Sequence, residues 1–162
     1  MSRTMKCLMA AGALLLGASA QANAQTIRLT AILSGANETP AALASGSAGT
    51  ADVYVNLATQ TITYDIDVFN IPSGTTAGHF HAGGPGVSGP VVVNLTPPVG
   101  ATDDFSLNGT ANGSSFTARP DQGIRTWTDF IQAMVGEQVY VNIHTATNPG
   151  GEVRGQLRVD RQ

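Results

Sequence analysis

From Thr26 onward, apolar and polar side chains alternate one for one in short runs, and few folds accept that pattern. A period of two places each set on one face of a strand, whereas a helix face repeats every 3.6 residues. The clearest run is 60–69, where Ile62, Tyr64, Ile66 and Val68 oppose Thr61, Thr63, Asp65 and Asp67. Runs 26–33, 50–57, 78–82, 91–95, 138–145 and 152–160 read the same way, and 104–116 is a weaker strand interrupted by glycine. Residues 58–60 suit a hairpin turn, Asn148-Pro149-Gly150-Gly151 is a strong turn, and 34–49, 71–76 and 83–90 read as loops. One helix is predicted over 128–135, capped by Thr128, with Phe130, Ile131 and Met134 as its apolar stripe and Gly136 as its end. About eight short strands with regular turns predict an all-β, single-domain, antiparallel Greek-key sandwich or barrel with one short helix.

Residues 1–24 carry a different signal. Arg3 and Lys6 precede an apolar stretch over 7–16, and Ala22-Asn23-Ala24 supplies a small-residue cleavage site. This order predicts a secretory signal peptide over 1–24, cut after Ala24, and a β domain over 25–162. The apolar stretch is too short to span a bilayer, so no transmembrane segment is expected. The expected destination is secreted or periplasmic. Cleavage removes Cys7, the single cysteine, and with it any disulfide or thiolate ligand. The net charge of −3 leaves no basic footprint for nucleic acid.

The three histidines occupy two places, His79 and His81 in one His-Phe-His and His144 near the end of run 138–145. Positions i and i+2 of a strand share a face at about 6.6–7 Å, so two imidazoles there converge on one ion. With Val139, Val141 and Ile143 inward, Tyr140, Asn142 and His144 face outward. All three histidines then share one outer surface if the two strands are neighbours. Three imidazoles and no thiolate suit copper first and zinc as the alternative. Iron stands third, since it wants a carboxylate, which Glu38, Glu152 or Asp65 would supply. Protons are expected to compete for the ring nitrogens near the ordinary histidine value of about 6.5.

Other chemistry is weakly supported. No G-x-S-x-G elbow, phosphate loop, dinucleotide fingerprint or EF-hand loop occurs. Asp65 and Asp67 share a face with the spacing of solvated strand residues. No catalytic residue is assigned.

The motifs Leu33-Ser34-Gly35-Ala36-Asn37-Glu38-Thr39-Pro40, Gly78-His79-Phe80-His81-Ala82-Gly83, Tyr140-Val141-Asn142-Ile143-His144-Thr145 and Gly150-Gly151-Glu152-Val153-Arg154-Gly155-Gln156-Leu157 resemble the CHRD, or chordin-type, domain across about 27–157. That resemblance implies an extracellular β-sandwich or barrel and leaves the activity open. A weaker resemblance is to copper/zinc superoxide dismutase, in which a Gly-x-His-x-His strand and one late-strand histidine hold copper. The fourth copper histidine, the zinc histidines and the disulfide have no counterpart here.

These readings predict an exported metal-binding protein whose metal ligands are His79, His81 and His144. Binding or sequestration outside the cytoplasm is preferred to an enzymatic role. The alternatives are a dismutase-like redox enzyme and a metal-free interaction or adhesion module. Protein partners and oligomeric state are unassigned. Glu38 or a backbone carbonyl is expected to accept the free ring N–H of a ligand histidine. Arg154, on the outward face beside Asn142 or His144, is expected to form a structural ion pair with Glu38 or Asp65.

Overall fold

Alternation becomes strand wherever the pattern predicts it, and the ends move by a few residues. A computed structural model describes residues 25–161, so the signal-peptide reading of 1–24 lies outside the described residues. Among the described residues the strands are β1 (Thr26–Ser34), β2 (Ala48–Asn56), β3 (Thr61–Ile71), β4 (Thr75–Ala82), β5 (Val91–Leu95), β6 (Asp103–Ala111), β7 (Val139–Thr145), β8 (Val153–Gln156) and the short β9 (Arg158–Val159), with one α-helix, α1 (Trp127–Val135).

All pairings are antiparallel, in the order β5-β4-β7-β8-β1-β2-β3-β6, with β9 on β1. Beyond β6 the chain returns to β5. Phe116 bridges Val93, and the Thr117 N–H donates to the Val92 carbonyl at 2.8 Å. The sheet therefore nearly closes into an eight-stranded barrel. Around it the short β3–β4 connection passes over both β6 and β5, which is the Greek-key connection the sequence predicts.

Side chains of one parity fill the interior. Leu29, Leu33, Val53, Ile62, Ile66, Val68, Phe80, Val141, Ile143, Val153 and Leu157 are fully buried. Tyr64 meets Phe80 edge to face across that interior, with centroids 5.7 Å apart. α1 adds Phe130, Ile131 and Met134 to the core.

Four local features differ from the sequence pattern. The helix cap is Thr126, not Thr128: its hydroxyl accepts from the Asp129 N–H at 3.1 Å, and the Asp129 carboxylate accepts from the Thr126 N–H at 2.8 Å. The 71–76 loop shrinks to 72–74, because β3 and β4 run up to it from both sides. The 152–160 strand breaks at Leu157, whose N–H turns to the Val139 carbonyl. The 104–116 strand stops at Ala111, where Asn112 caps a turn.

The larger correction concerns the outer face of β7. The sequence places Tyr140, Asn142 and His144 outward, and the fold does so, yet every residue of β7 is buried. Loops close over this part of the wall, so outward here means under a roof rather than in water.

Candidate metal centre

Register places the side chains. β4 pairs with β7 so that His79 opposes Asn142 and His81 opposes Tyr140, and β7 pairs with β8 so that Asn142 opposes Arg154 and Tyr140 opposes Gln156. The outer faces of three adjacent strands thus form one polar patch. Phe80, between the two β4 histidines, points into the core.

His79, His81 and His144 converge, with a nitrogen of each within 4.8 Å of the others. His79 Nδ1 lies 2.9 Å from His144 Nε2, and the ring centroids of His79 and His144 are 4.8 Å apart. No carboxylate belongs to the group among the described residues.

Two rings are oriented by the backbone. His81 Nδ1 lies 2.8 Å from the Gly89 carbonyl, and His144 Nδ1 lies 3.0 Å from the Pro149 carbonyl. A carbonyl oxygen only accepts, so both rings carry their proton on Nδ1 and offer the Nε2 lone pair. Nε2 of His81 is buried and has no partner. With Nε2 of His144 unprotonated, His79 donates to it through Nδ1. Burial, followed by the neighbouring rings His144 and His81, pulls His79 down to about 4. Burial likewise brings His81 to about 4, outweighing the Gly89 hydrogen bond, with His144, Arg154 and Arg119 adding to the fall. His144 is also lowered by burial, against the bond to Pro149. All three imidazoles are neutral at pH 7, which is the form that ligates metal.

Gly89 makes the roof possible. A Cβ there would sit 1.5 Å from the Ala82 carbonyl oxygen, so only glycine lets this loop lie against β4. Its carbonyl takes His81, and its N–H donates to the Tyr140 hydroxyl at 3.1 Å. Tyr140 stacks on His81, with centroids 4.8 Å apart and an interplanar angle of 10°.

Glu38 lies in the roof but does not reach a histidine. Its Oε2 accepts from Asn142 Nδ2 at 3.4 Å, and its Oε1 is buried without a partner, as is Asn142 Oδ1. Burial lifts its carboxyl to about 7, against the Asn142 hydrogen bond and the charge of Arg154, with Glu152 adding to the rise. Gly151, at φ 145°, leaves room for this pair, since a Cβ there would lie 2.5 Å from Glu38 Oε2 and 2.7 Å from Asn142 Nδ2. Of the two acceptors expected for the ring N–H groups, the backbone carbonyl takes the role and Glu38 does not.

Arg154 is 3% exposed and forms no ion pair with Glu38 or Asp65. Its guanidinium instead donates to Thr39 Oγ1 at 2.5 Å and to the Val87 carbonyl at 2.9 Å, and lies 3.5 Å over the Tyr140 ring. It ties two roof loops to β8 through neutral partners.

The other carboxylates considered for iron lie elsewhere. Asp65 sits on β3 opposite Asp52 and Asn108. Glu152 accepts from Ser45 at 2.5 Å, Ser47 at 2.9 Å, Thr145 at 3.0 Å and Asn148 at 2.6 Å. Burial pushes its carboxyl up, but these four bonds outweigh it and hold the group below its ordinary value. Glu152 is a structural anion.

Sequence reasoning placed the three histidines and missed Tyr140, Gly89 and Pro149 as their supports. A β-barrel with a roofed polar patch is the class of protein these features define. The model of the CHRD domain matches residues 29–157, so the chain belongs to the CHRD domain family, a family of extracellular β domains. No curated protein matches the chain, and no solved structure does. No helix among the described residues is long and apolar enough to cross a membrane.

Proposed function

We propose that this is an exported protein, freed of residues 1–24, which binds a metal ion through His79, His81 and His144 for binding or sequestration outside the cytoplasm. Copper is the first choice and zinc the alternative. The observation that carries the reading is the convergence of three neutral imidazoles within 4.8 Å. The unpartnered, buried Nε2 of His81 fits it, because a buried acceptor without a donor is what an ion would satisfy.

The residues fit the ion with small adjustment. Metal–nitrogen bonds of 2.0–2.1 Å place tetrahedral donors about 3.4 Å apart. His81 and His144 already offer Nε2, and moving the His79 proton from Nδ1 to Nε2 turns its Nδ1 lone pair inward. The Gly89 and Pro149 carbonyls hold two tautomers ready, which lowers the cost of ordering the site. A bound ion would supply Lewis acidity or, for copper, one-electron chemistry.

Titration calorimetry of the metal-free protein with Cu²⁺ and with Zn²⁺ tests the reading. About one ion per chain is expected, Cu²⁺ more tightly than Zn²⁺, with binding lost in His144→Ala and in His81→Ala. Absence of binding by either ion, with Cu⁺ failing as well, would leave a metal-free interaction module as the better reading. Three protein ligands leave a position open, the arrangement of catalytic rather than closed structural sites, and this favours a redox enzyme as the second reading. Superoxide consumption by the copper-loaded protein, lost in His144→Ala, would support it.

A further inference from the structure

The charges around the histidines narrow what the site is built to hold, and this step rests on the metal reading above. Every donor in the group is an imidazole, and none is a carboxylate or a thiolate. The second nitrogens of His81 and His144 end on carbonyls, not on carboxylates. Carboxylate partners are the common device for making a histidine a stronger donor to a dication, and that device is missing from both rings.

Positive charge, by contrast, is built in. β4 and β8 flank β7 on opposite sides, so His81 and Arg154 sandwich the Tyr140 ring. Arg154 is buried, and its hydrogen-bond acceptors are a hydroxyl and carbonyls. Among the described residues no acid lies within ion-pair distance of it. A second cation stands on the other side of His81: Arg119 donates to the carbonyl of Val91 at 2.6 Å, and Val91 is the β5 partner of His81.

The acids nearby do not cancel it. Glu38 bonds Asn142 and keeps its proton up to about pH 7. Glu152 spends its charge on four donors from residues 45–47 and 145–148. A buried, neutral-to-positive site discriminates against each added unit of ionic charge, because little water is present to screen it. Geometry acts in the same direction. Cu²⁺ favours square-planar or tetragonal donor sets, and three imidazoles from two neighbouring strands do not supply one.

We infer that the site is built for the cuprous ion, holding Cu⁺ in preference to Cu²⁺ and Zn²⁺, and that Arg154 sets this preference through the Tyr140–His81 stack.

The test uses the mature protein under anaerobic conditions near pH 6.5. Cu⁺ affinity is read by competition with a chromophoric cuprous chelator, and Cu²⁺ and Zn²⁺ affinities by calorimetry. Cu⁺ is expected to bind the most tightly of the three. Arg154→Gln should reduce the ratio of Cu⁺ to Cu²⁺ affinity by roughly tenfold, and Arg154→Lys, which keeps the charge, should hold it. Arg119→Gln, at a less buried position, should move the ratio the same way by less and serves if Arg154→Gln fails to fold. Cu²⁺ or Zn²⁺ binding as tightly as Cu⁺ overturns this inference and leaves the metal reading standing. An unchanged ratio in a folded Arg154→Gln, or in Arg119→Gln if that variant alone folds, overturns the role of charge. Failure of all three ions to bind overturns both readings.

Discussion

The barrel has two walls whose outer faces come from the same alternation and meet different surroundings. On β2 and β3 the outward residues include Asp52, Tyr54, Thr63 and Asp65, and burial alternates with exposure along each strand. On β7 the outward residues are Tyr140, Asn142 and His144, and none is exposed. Water solvates the first wall, and loops cover the second. Covering polar groups is costly unless each finds a partner. Among the described residues the buried side-chain atoms without a partner are Glu38 Oε1, His81 Nε2, Asn142 Oδ1 and Gln156 Oε1, all on or over the β4–β7–β8 wall. A fold that needed only stability would leave this wall as open as the other, so the roof points to function.

The contrast predicts unequal responses to losing a carboxylate. Glu152→Ala should destabilise by about 3–5 kcal/mol, because it strands four donors that tie residues 45–47 to 145–148. Asp65→Ala, on the open wall, should change stability by no more than about 0.5 kcal/mol. Urea unfolding of the two variants checks the pair. Equal effects would mean that the roof is not held by Glu152.

Metal should act on the roofed wall alone. At a hundredfold excess over its Kd, a bound ion stabilises by about 2.7 kcal/mol, and His81→Ala and His144→Ala should each abolish that gain in thermal melts. The pH window follows from burial. With His79 and His81 lowered to about 4, protons displace the ion near pH 4 rather than near the ordinary histidine value. The same depression acts on the metal-free fold. The unfolded chain takes up these protons below about 6.5 and the folded chain only near 4, so the histidine contribution is lost as pH falls between those values. Metal retained at pH 5 and released by pH 3.5 is the expected titration. Release centred at 6.5 would show that the rings are solvated.

Much of this was legible because a strand reports its own phase. Phe80 between two histidines, and Ile143 before His144, set which side each imidazole takes. Adjacency of β4 and β7 then brings the three together. The roof was not legible. Residues 35–47 and 83–90 have no periodicity, and the groups that orient His81 and His144 are backbone carbonyls, which carry no residue-type signal. For the same reason the pattern points Tyr140 to solvent and gives Arg154 an acid as its partner. The helix cap was a near miss between two threonines. Thr126 has Asp129 three residues on and completes the box, which Thr128 does not. Shifted histidine values were out of reach because burial is a property of the roof.

The smallest effect expected on the roofed wall isolates the roof's own acid. Glu38 is raised to about 7 when folded, against an ordinary value of 4.5. Between those values the folded chain binds a proton that the unfolded chain has released, so stability falls as pH rises from about 4.5 through about 7. This runs opposite to the histidine contribution. Two unpartnered acceptors, Glu38 Oε1 and Asn142 Oδ1, supply the local reason: protonation turns one of them into a donor. Glu38→Gln keeps the shape and carries N–H groups at every pH. It should therefore match the wild type near pH 5 and exceed it by about 1–2 kcal/mol at pH 8. Urea midpoints at the two pH values read the difference. A Glu38→Gln variant no more stable than wild type at pH 8 would mean that the roof admits water to the carboxylate, and the contrast between the two walls would lose its sharpest term.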